Sequence, residues 1–216
     1  MAEVFRGSFT QQLPIPTEAE AAALAVLRSG RLHRYNLAPC ETGETGALEC
    51  EFAAAMGARY CLAVTSGGQA LALALRAAGV APGEPVLTNA FTLAPVPGAI
   101  AGIGARPVFV ETTDRLTIDL DDLAVKLPRA RVLLLSHMRG HSADMDRVMA
   151  LCAAAGVRVI EDCAHTMGAR WRGVPSGRHG LAGCYSTQTY KHLNSGEGGL
   201  IVSDDAGLMA RATWMS

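Results

Sequence analysis

The sequence predicts an α/β fold, a mostly parallel, doubly wound sheet with helices on its faces, and three observations carry that expectation. Short runs rich in valine or leucine recur along the chain: YCLAV (60–64), EPVLTN (84–89), RPVFV (106–110), RVLLL (131–135), VRVIE (157–161) and AGCYS (182–186). Apolar runs of this length suit strands buried on both faces. Helical patterns that end on glycine separate most of them, and strands alternating with helices argue for parallel neighbours. Half of the 216 residues are hydrophobic, enough to bury a full core.

The elements follow in order. TEAEAAALAVLRSG (17–30) reads as an amphipathic helix capped by Thr17, and GALECEFAAAMG (46–57) as a second helix ahead of the first strand. GQALALALRAAG (68–79), TLAPVPGAIAGIG (92–104) and ADMDRVMALCAAAG (143–156) are the helices expected between strands. Thr92 is the expected cap of the middle one, where Pro95 and Pro97 are tolerated because they fall near the first turn. The glycines at 196, 198 and 199 read as a tight turn into a further apolar run, LIVSDD (200–205), and the chain stops in ARATWMS, within a helical pattern.

Composition excludes several classes. The net charge of −1 offers no basic excess for nucleic acid, and no stretch of about 18 apolar residues would span a membrane. The start, MAEVFRGSFTQQ, lacks the charged-then-apolar layout of a signal peptide. Six cysteines (40, 50, 61, 152, 163 and 184) are scattered without a C-x-x-C pair, so reduced, mostly buried thiols and a cytoplasmic location are expected.

Open parallel sheets bind ligands outside the carboxyl ends of their strands. Three places there carry chemistry. In AVTSGGQALALAL a strand passes through Thr65-Ser66-Gly67-Gly68 into a helix, which is either a plain tight turn or a cradle of backbone N–H groups for a phosphate. No G-K-[ST] follows, so it is not a Walker loop. In VIEDCAHTMGA, Glu161, Asp162 and His165 follow a strand directly; with His137 and His141 of SHMRGH they raise the thought of a metal, but they form no recognised zinc pattern and no metal is expected. SHMRGH otherwise reads as a polar loop above the sheet. In CYSTQTYKHLNSGEGG, Ser186 ends a strand and Lys191 lies a short loop later. Taken alone Lys191 is surface charge; near the ligand edge, a desolvated amine becomes a nucleophile toward carbonyls.

Together these pieces match the needs of pyridoxal 5'-phosphate: an anchored phosphate, an acid beside the ring nitrogen, and an amine that holds the aldehyde as an imine. EDCAHTMGARWRG and GCYSTQTYKHLNSGEGGLIVSDD, with AVTSGGQALALAL upstream, resemble the DegT-like aminotransferases, fold type I enzymes that mostly aminate nucleotide-linked keto sugars. The resemblance runs from about residue 17 to the end. It implies a three-layer large domain at 31–216 behind an N-terminal segment and helix at 1–30, with the smaller C-terminal domain of the family missing. It implies that Lys191 forms the internal aldimine and shuttles a proton, that Asp162 pairs with the pyridine nitrogen, and that His165 sits by the ring's phenolic oxygen. Ser66, Gly67 and Gly68 on one side and Ser186 on the other would hold the phosphate, joined by Gln188.

Two departures stand out. Gly68 replaces the family's usual threonine, leaving only backbone donors, and Leu93 stands where an aromatic usually stacks on the ring, so that either Leu93 packs there or Phe91 takes over. A lysine rather than a histidine at 191 favours transamination over dehydration. The expected reaction moves an amino group from glutamate to a keto sugar or similar cyclic ketone, in a homodimer or with a complementing chain; the stretch GRLHRYN (30–36) either serves the neighbouring subunit or is a solvated loop. The alternative is a catalytically silent or partial subunit that needs another chain.

Overall fold

The computed structural model describes residues 7–8, 13–35, 37–38 and 41–216. Most of MAEVFRGSFTQQ, Cys40, and Asn36 at the end of GRLHRYN lie outside the described residues. The chain divides into two compact units, Met1–Ala47 and Leu48–Ser216.

The first unit holds helix α1 (Thr17–Ser29), which ends at Gly30 in the left-handed conformation. Thr17 does not cap it. The flanking position belongs to Pro16, which has no hydroxyl to offer, and Thr17 is already helical. Beyond α1, Arg31 grips Glu41 through two hydrogen bonds of 2.7 and 2.9 Å, and this guanidinium pulls the Glu41 carboxyl down to about 2.

In the second unit the strands are β1 (Tyr60–Val64), β2 (Pro85–Asn89), β3 (Arg106–Val110), β4 (Val132–Ser136), β5 (Arg158–Asp162), β6 (Arg170–Trp171), β7 (Val174–Pro175), β8 (Ala182–Ser186) and β9 (Gly199–Ser203). The helices are α2 (Glu44–Met56), which begins at the end of the first unit, α3 (Gly67–Ala77), α4 (Pro95–Gly102), α5 (Leu120–Lys126), α6 (Met145–Ala154) and α7 (Ala206–Met215). Seven strands form one sheet in the order β1-β9-β8-β5-β4-β2-β3. The neighbours from β8 to β3 are parallel, and only β9 runs against its neighbours.

Side chains alternate across each strand, so one strand feeds two cores. Val132 and Leu134 of β4 pack with α3, α4 and α7 residues such as Leu75, Ile100 and Leu208. Leu133 and Leu135 pack on the other face with Leu123 of α5 and Val148 of α6. Phe52 and Met56 cover Tyr185, Leu200 and Val202 on β8 and β9. All residues of β4, β8 and β9 are buried, as continuous apolar runs require. The expected three-layer, mostly parallel architecture is therefore present.

One further expectation needs correction, and two elements come in addition. α4 begins at Pro95 with helical Ala94 before it, so Thr92 is too far upstream to cap, and its Oγ1 is buried without a partner among the described residues. The sequence reading also passed over α5, although Asp119 caps it by accepting from the N–H groups of Asp121 and Asp122. The small β6–β7 hairpin turns through Arg172 and Gly173, both at positive φ.

Candidate active site

Register brings the site together. Val64, Gly199 and Ser186 stand abreast at one edge of the sheet, and Ser136 stands beside Asp162 at the ends of β4 and β5. The chain leaves Val64 through Thr65-Ser66 into α3. Ser66 is extended, and its Oγ caps the helix by accepting from the Gln69 N–H at 3.1 Å. The hydroxyl hydrogen remains available to a ligand, as do first-turn N–H groups that have no intrahelical acceptor.

Close approach explains the glycines. A Cβ on Gly67 would stand 2.8 Å from Ser186 Cβ, and one on Gly199 would collide with the Ser66 carbonyl. Only glycine at both places lets the α3 turn lie against the ends of β8 and β9. The result is a cluster of backbone and hydroxyl donors at a helix N-terminus, a setting that favours an anion.

Asp162 ends β5 and is 8% exposed. Its Oδ2 accepts from Ser136 Oγ at 2.8 Å and its Oδ1 from the Ala164 N–H at 3.2 Å. Those bonds use about half of a carboxylate's acceptor capacity and leave the rest to the pocket.

Lys191 lies in a loop held by its own ladder, with Thr187 N–H bonded to the Gly198 carbonyl and Lys191 N–H to the Gln188 carbonyl. Its Nζ makes no hydrogen bond or ion pair among the described residues. Burial pushes the amine below the ordinary lysine range; Asp162 opposes that shift and Arg139 adds to it. His165 Nδ1 accepts from the Arg139 N–H at 3.2 Å, and burial, then the Lys191 charge, hold the imidazole below its ordinary value.

All nine expected residues, Ser66, Gly67, Gly68, Leu93, Asp162, His165, Ser186, Gln188 and Lys191, line one cavity of about 350 Å³. Of the two candidates for the ring face, Leu93 lines it and Phe91 does not. Sequence reasoning missed Leu71, Pro95, Val96, Met138, Ala164 and Glu197, which complete the wall. Helical spacing hinted at Leu71 and Val96; nothing local pointed Met138 or Glu197 at the cavity.

The histidines do not converge on a metal. His141 is exposed, His165 is at the cavity, and His137 is 2% exposed with its Nε2 at 3.2 Å from Glu161 Oε2. SHMRGH is thus a buried anchor followed by a turn, not only a polar loop. His137, Glu161 and Cys163 place their ligating atoms within 4.8 Å of one another. Yet Glu161 already accepts from His137 Nε2 and from the N–H groups of Gly177, His179 and Gly180. Burial raises the Cys163 thiol well above its ordinary value, so it stays protonated. Glu161 is therefore saturated by protein donors, while His137 Nδ1 stays buried without a partner among the described residues. Among the described cysteines, 152, 163 and 184 are buried, Cys61 is partly so with its thiol raised by burial to about 12, and Cys50 is exposed; all are free.

Comparison with known proteins agrees with the geometry. The sequence pattern of the DegT/DnrJ/EryC1/StrS aminotransferase family matches residues 16–216. A UDP-N-acetyl-3-dehydro-alpha-D-glucosamine 3-aminotransferase from Acidithiobacillus ferrooxidans is 40% identical over 166 residues, 75% of this chain and 45% of that protein. An L-glutamine:scyllo-inosose aminotransferase from Streptomyces griseus is 38% identical over 74% of this chain and 38% of its own length. The crystal structure of an aminotransferase from Psychrobacter cryohalolentis superposes with a TM-score of 0.86 at 29% identity, covering 95% of this chain and 52% of that one. The chain therefore spans less than half the length of these two curated relatives.

Proposed function

The chain belongs to the DegT/DnrJ/EryC1/StrS aminotransferase family, and from that premise we propose that it is the cofactor-binding part of a pyridoxal 5'-phosphate-dependent aminotransferase. The amino donor is glutamate or glutamine, and the acceptor is a nucleotide-linked keto sugar or a similar cyclic ketone, the two kinds of acceptor that the names of the relatives print. One observation supports this most: an unpartnered, half-buried amine shares a cavity with a buried carboxylate and a glycine-serine cradle at a helix N-terminus.

The residues fit the cofactor. The Gly67–Ser186 approach brings the start of α3 against the end of β8, and Ser66, Gly67, Gly68, Ser186 and Gln188 would hold the phosphate there. Asp162, already oriented by Ser136 and Ala164, would receive the ring nitrogen's proton as a hydrogen bond. Leu93 would pack on the ring face and His165 would meet the ring's oxygen. Bound there, the group supplies an electron sink for charge developing on the donor's carbon.

The chain's own contribution is positioning and proton transfer. Half-burial lowers the proton affinity of Lys191 Nζ, which eases the release and return of a proton within the cavity. The buried Leu71, Val96 and Met138 keep water from one side, which strengthens each polar contact on the other. A dimer or a complementing chain would complete the site. A cytoplasmic enzyme is consistent with the free cysteines and with the lack of any helix, among the described residues, long and apolar enough to cross a membrane.

The test is spectroscopic. Purified protein with pyridoxal phosphate should show a visible band that borohydride bleaches and that Lys191→Ala lacks; no band sinks the cofactor assignment. Adding glutamate or glutamine should convert the band to a near-ultraviolet one. A band that forms but never converts favours a cofactor-holding subunit that depends on another chain.

A further inference from the structure

His165 has two ring nitrogens, and the fold commits one of them. The Arg139 N–H lies 3.2 Å from Nδ1. A backbone amide only donates, so Nδ1 accepts and carries no proton. Arg139 reaches this place in an unusual conformation, φ 55 and ψ 22, followed by Gly140 at φ 83. Non-glycine residues seldom adopt it, and the Arg139 side chain forms no ion pair among the described residues that would account for it.

The turn is anchored on both sides. His137 N–H donates to the Asp162 carbonyl at 3.1 Å, Gly140 N–H to the His137 carbonyl at 3.2 Å, and His141 N–H to the Met138 carbonyl at 3.1 Å. The buried His137 side chain is tied to Glu161. The position of the Arg139 amide therefore follows from β4 and β5 together, the same strands that set Asp162.

We propose that Arg139 is a positioning residue: its left-handed turn fixes His165 as the Nε2–H tautomer and so directs a neutral donor at an anionic oxygen of the group that fills the cavity. The inference rests on the cofactor reading above for the identity of that group, but not for the tautomer. The charged groups around the ring are Lys191, Arg139 and His192, which oppose a protonated imidazole, and Asp162, which favours it; burial sides with the first three. A neutral donor gives a hydrogen bond without adding a second cation beside Lys191.

The test uses histidine-15N-labelled, uniformly amide-labelled protein without cofactor, with the His165 signals identified by their loss in His165→Gln. At neutral pH, Nδ1 should resonate as an unprotonated nitrogen and Nε2 as a protonated one, with a scalar coupling across the hydrogen bond from the Arg139 amide. An Nδ1–H tautomer, or a doubly protonated ring at neutral pH, overturns the proposal. Arg139→Gly, relaxed at positive φ and still carrying the N–H, should keep both signatures. Arg139→Pro can neither adopt φ 55 nor donate; it should lose the coupling and shift the tautomer ratio by about tenfold, the weight of one hydrogen bond. Circular dichroism checks its fold, and if it unfolds, the coupling in the unmodified protein and in Arg139→Gly still decides. A protein that shows this tautomer but no visible band with pyridoxal phosphate keeps the inference and loses the cofactor reading; the reverse result does the opposite.

Discussion

Glu161 and Asp162 are neighbours on one strand, both buried, and they do opposite work. Alternation sends their side chains to opposite faces. Glu161, fully buried, meets His137 Nε2 and three backbone N–H groups, and its acceptor capacity is filled. Asp162 accepts two bonds and opens on the cavity. A saturated carboxylate is committed to the fold; an under-used one keeps acceptor capacity for a ligand.

The strongest way to break this comparison is to remove the saturated acid. Glu161→Ala leaves buried N–H groups and His137 Nε2 without an acceptor, and should cost about 3–5 kcal/mol in urea or thermal unfolding. Burial alone would raise the Glu161 carboxyl, but the His137 bond and the N–H groups outweigh it and hold it below the ordinary range. The sign follows: its stabilisation is complete above the ordinary glutamate pKa of about 4.3 and is lost as pH falls through the lower folded value. Acid titration of stability should show that loss in the wild type and not in the variant.

Asp162→Asn probes the other half. Stability should change by less than about 1 kcal/mol, since both hydrogen bonds go to atoms that an amide can partly retain. In the proposed amino transfer the rate should fall by about 10²–10³-fold, the scale of losing one preorganised electrostatic partner. If Asp162→Asn unfolds the protein while Glu161→Ala leaves it intact, the assignment of roles is inverted.

The sheet, the order of most of its elements and the gathering of the nine candidate residues around one cavity were legible because they follow local rules. Apolar runs of strand length, glycine after helices, and polar residues at strand ends are visible without tertiary contacts. What was not legible depends on which way a side chain turns. The sequence groups Glu161, Asp162 and His165 as one acidic-imidazole patch, and only the strand's register divides them. Likewise nothing in SHMRGH reveals that Arg139 takes a left-handed turn, since arginine carries no preference for it.

A smaller effect tests how the cradle is built. Gly67→Ala places a Cβ 2.8 Å from Ser186 Cβ, and pushing α3 away from β8 should cost about 1–3 kcal/mol and weaken pyridoxal phosphate binding. Ser186→Gly removes the obstacle. The double variant should recover most of the lost stability but not the affinity, because the serine hydroxyl is gone; additive losses in the unfolding measurement would mean that the close approach is not what requires glycine.

The gentlest change concerns the cavity's apolar wall, where Leu93 is 42% exposed and nothing covers its outer side among the described residues. A leucine offers packing but no ring to stack, and the resemblance expects an aromatic there. Leu93→Phe should therefore tighten pyridoxal phosphate by about 0.5–1.5 kcal/mol, roughly two- to tenfold in Kd from titration of the visible band. Phe91→Leu should leave that Kd in place, because the Phe91 backbone bonds, N–H to Thr112 and carbonyl from Asn89, keep it in the strand-end loop, away from the cavity wall. Tightening in Leu93→Phe with no change in Phe91→Leu assigns the ring face to position 93. The opposite pattern would move it to Phe91 and leave Leu93 as wall alone.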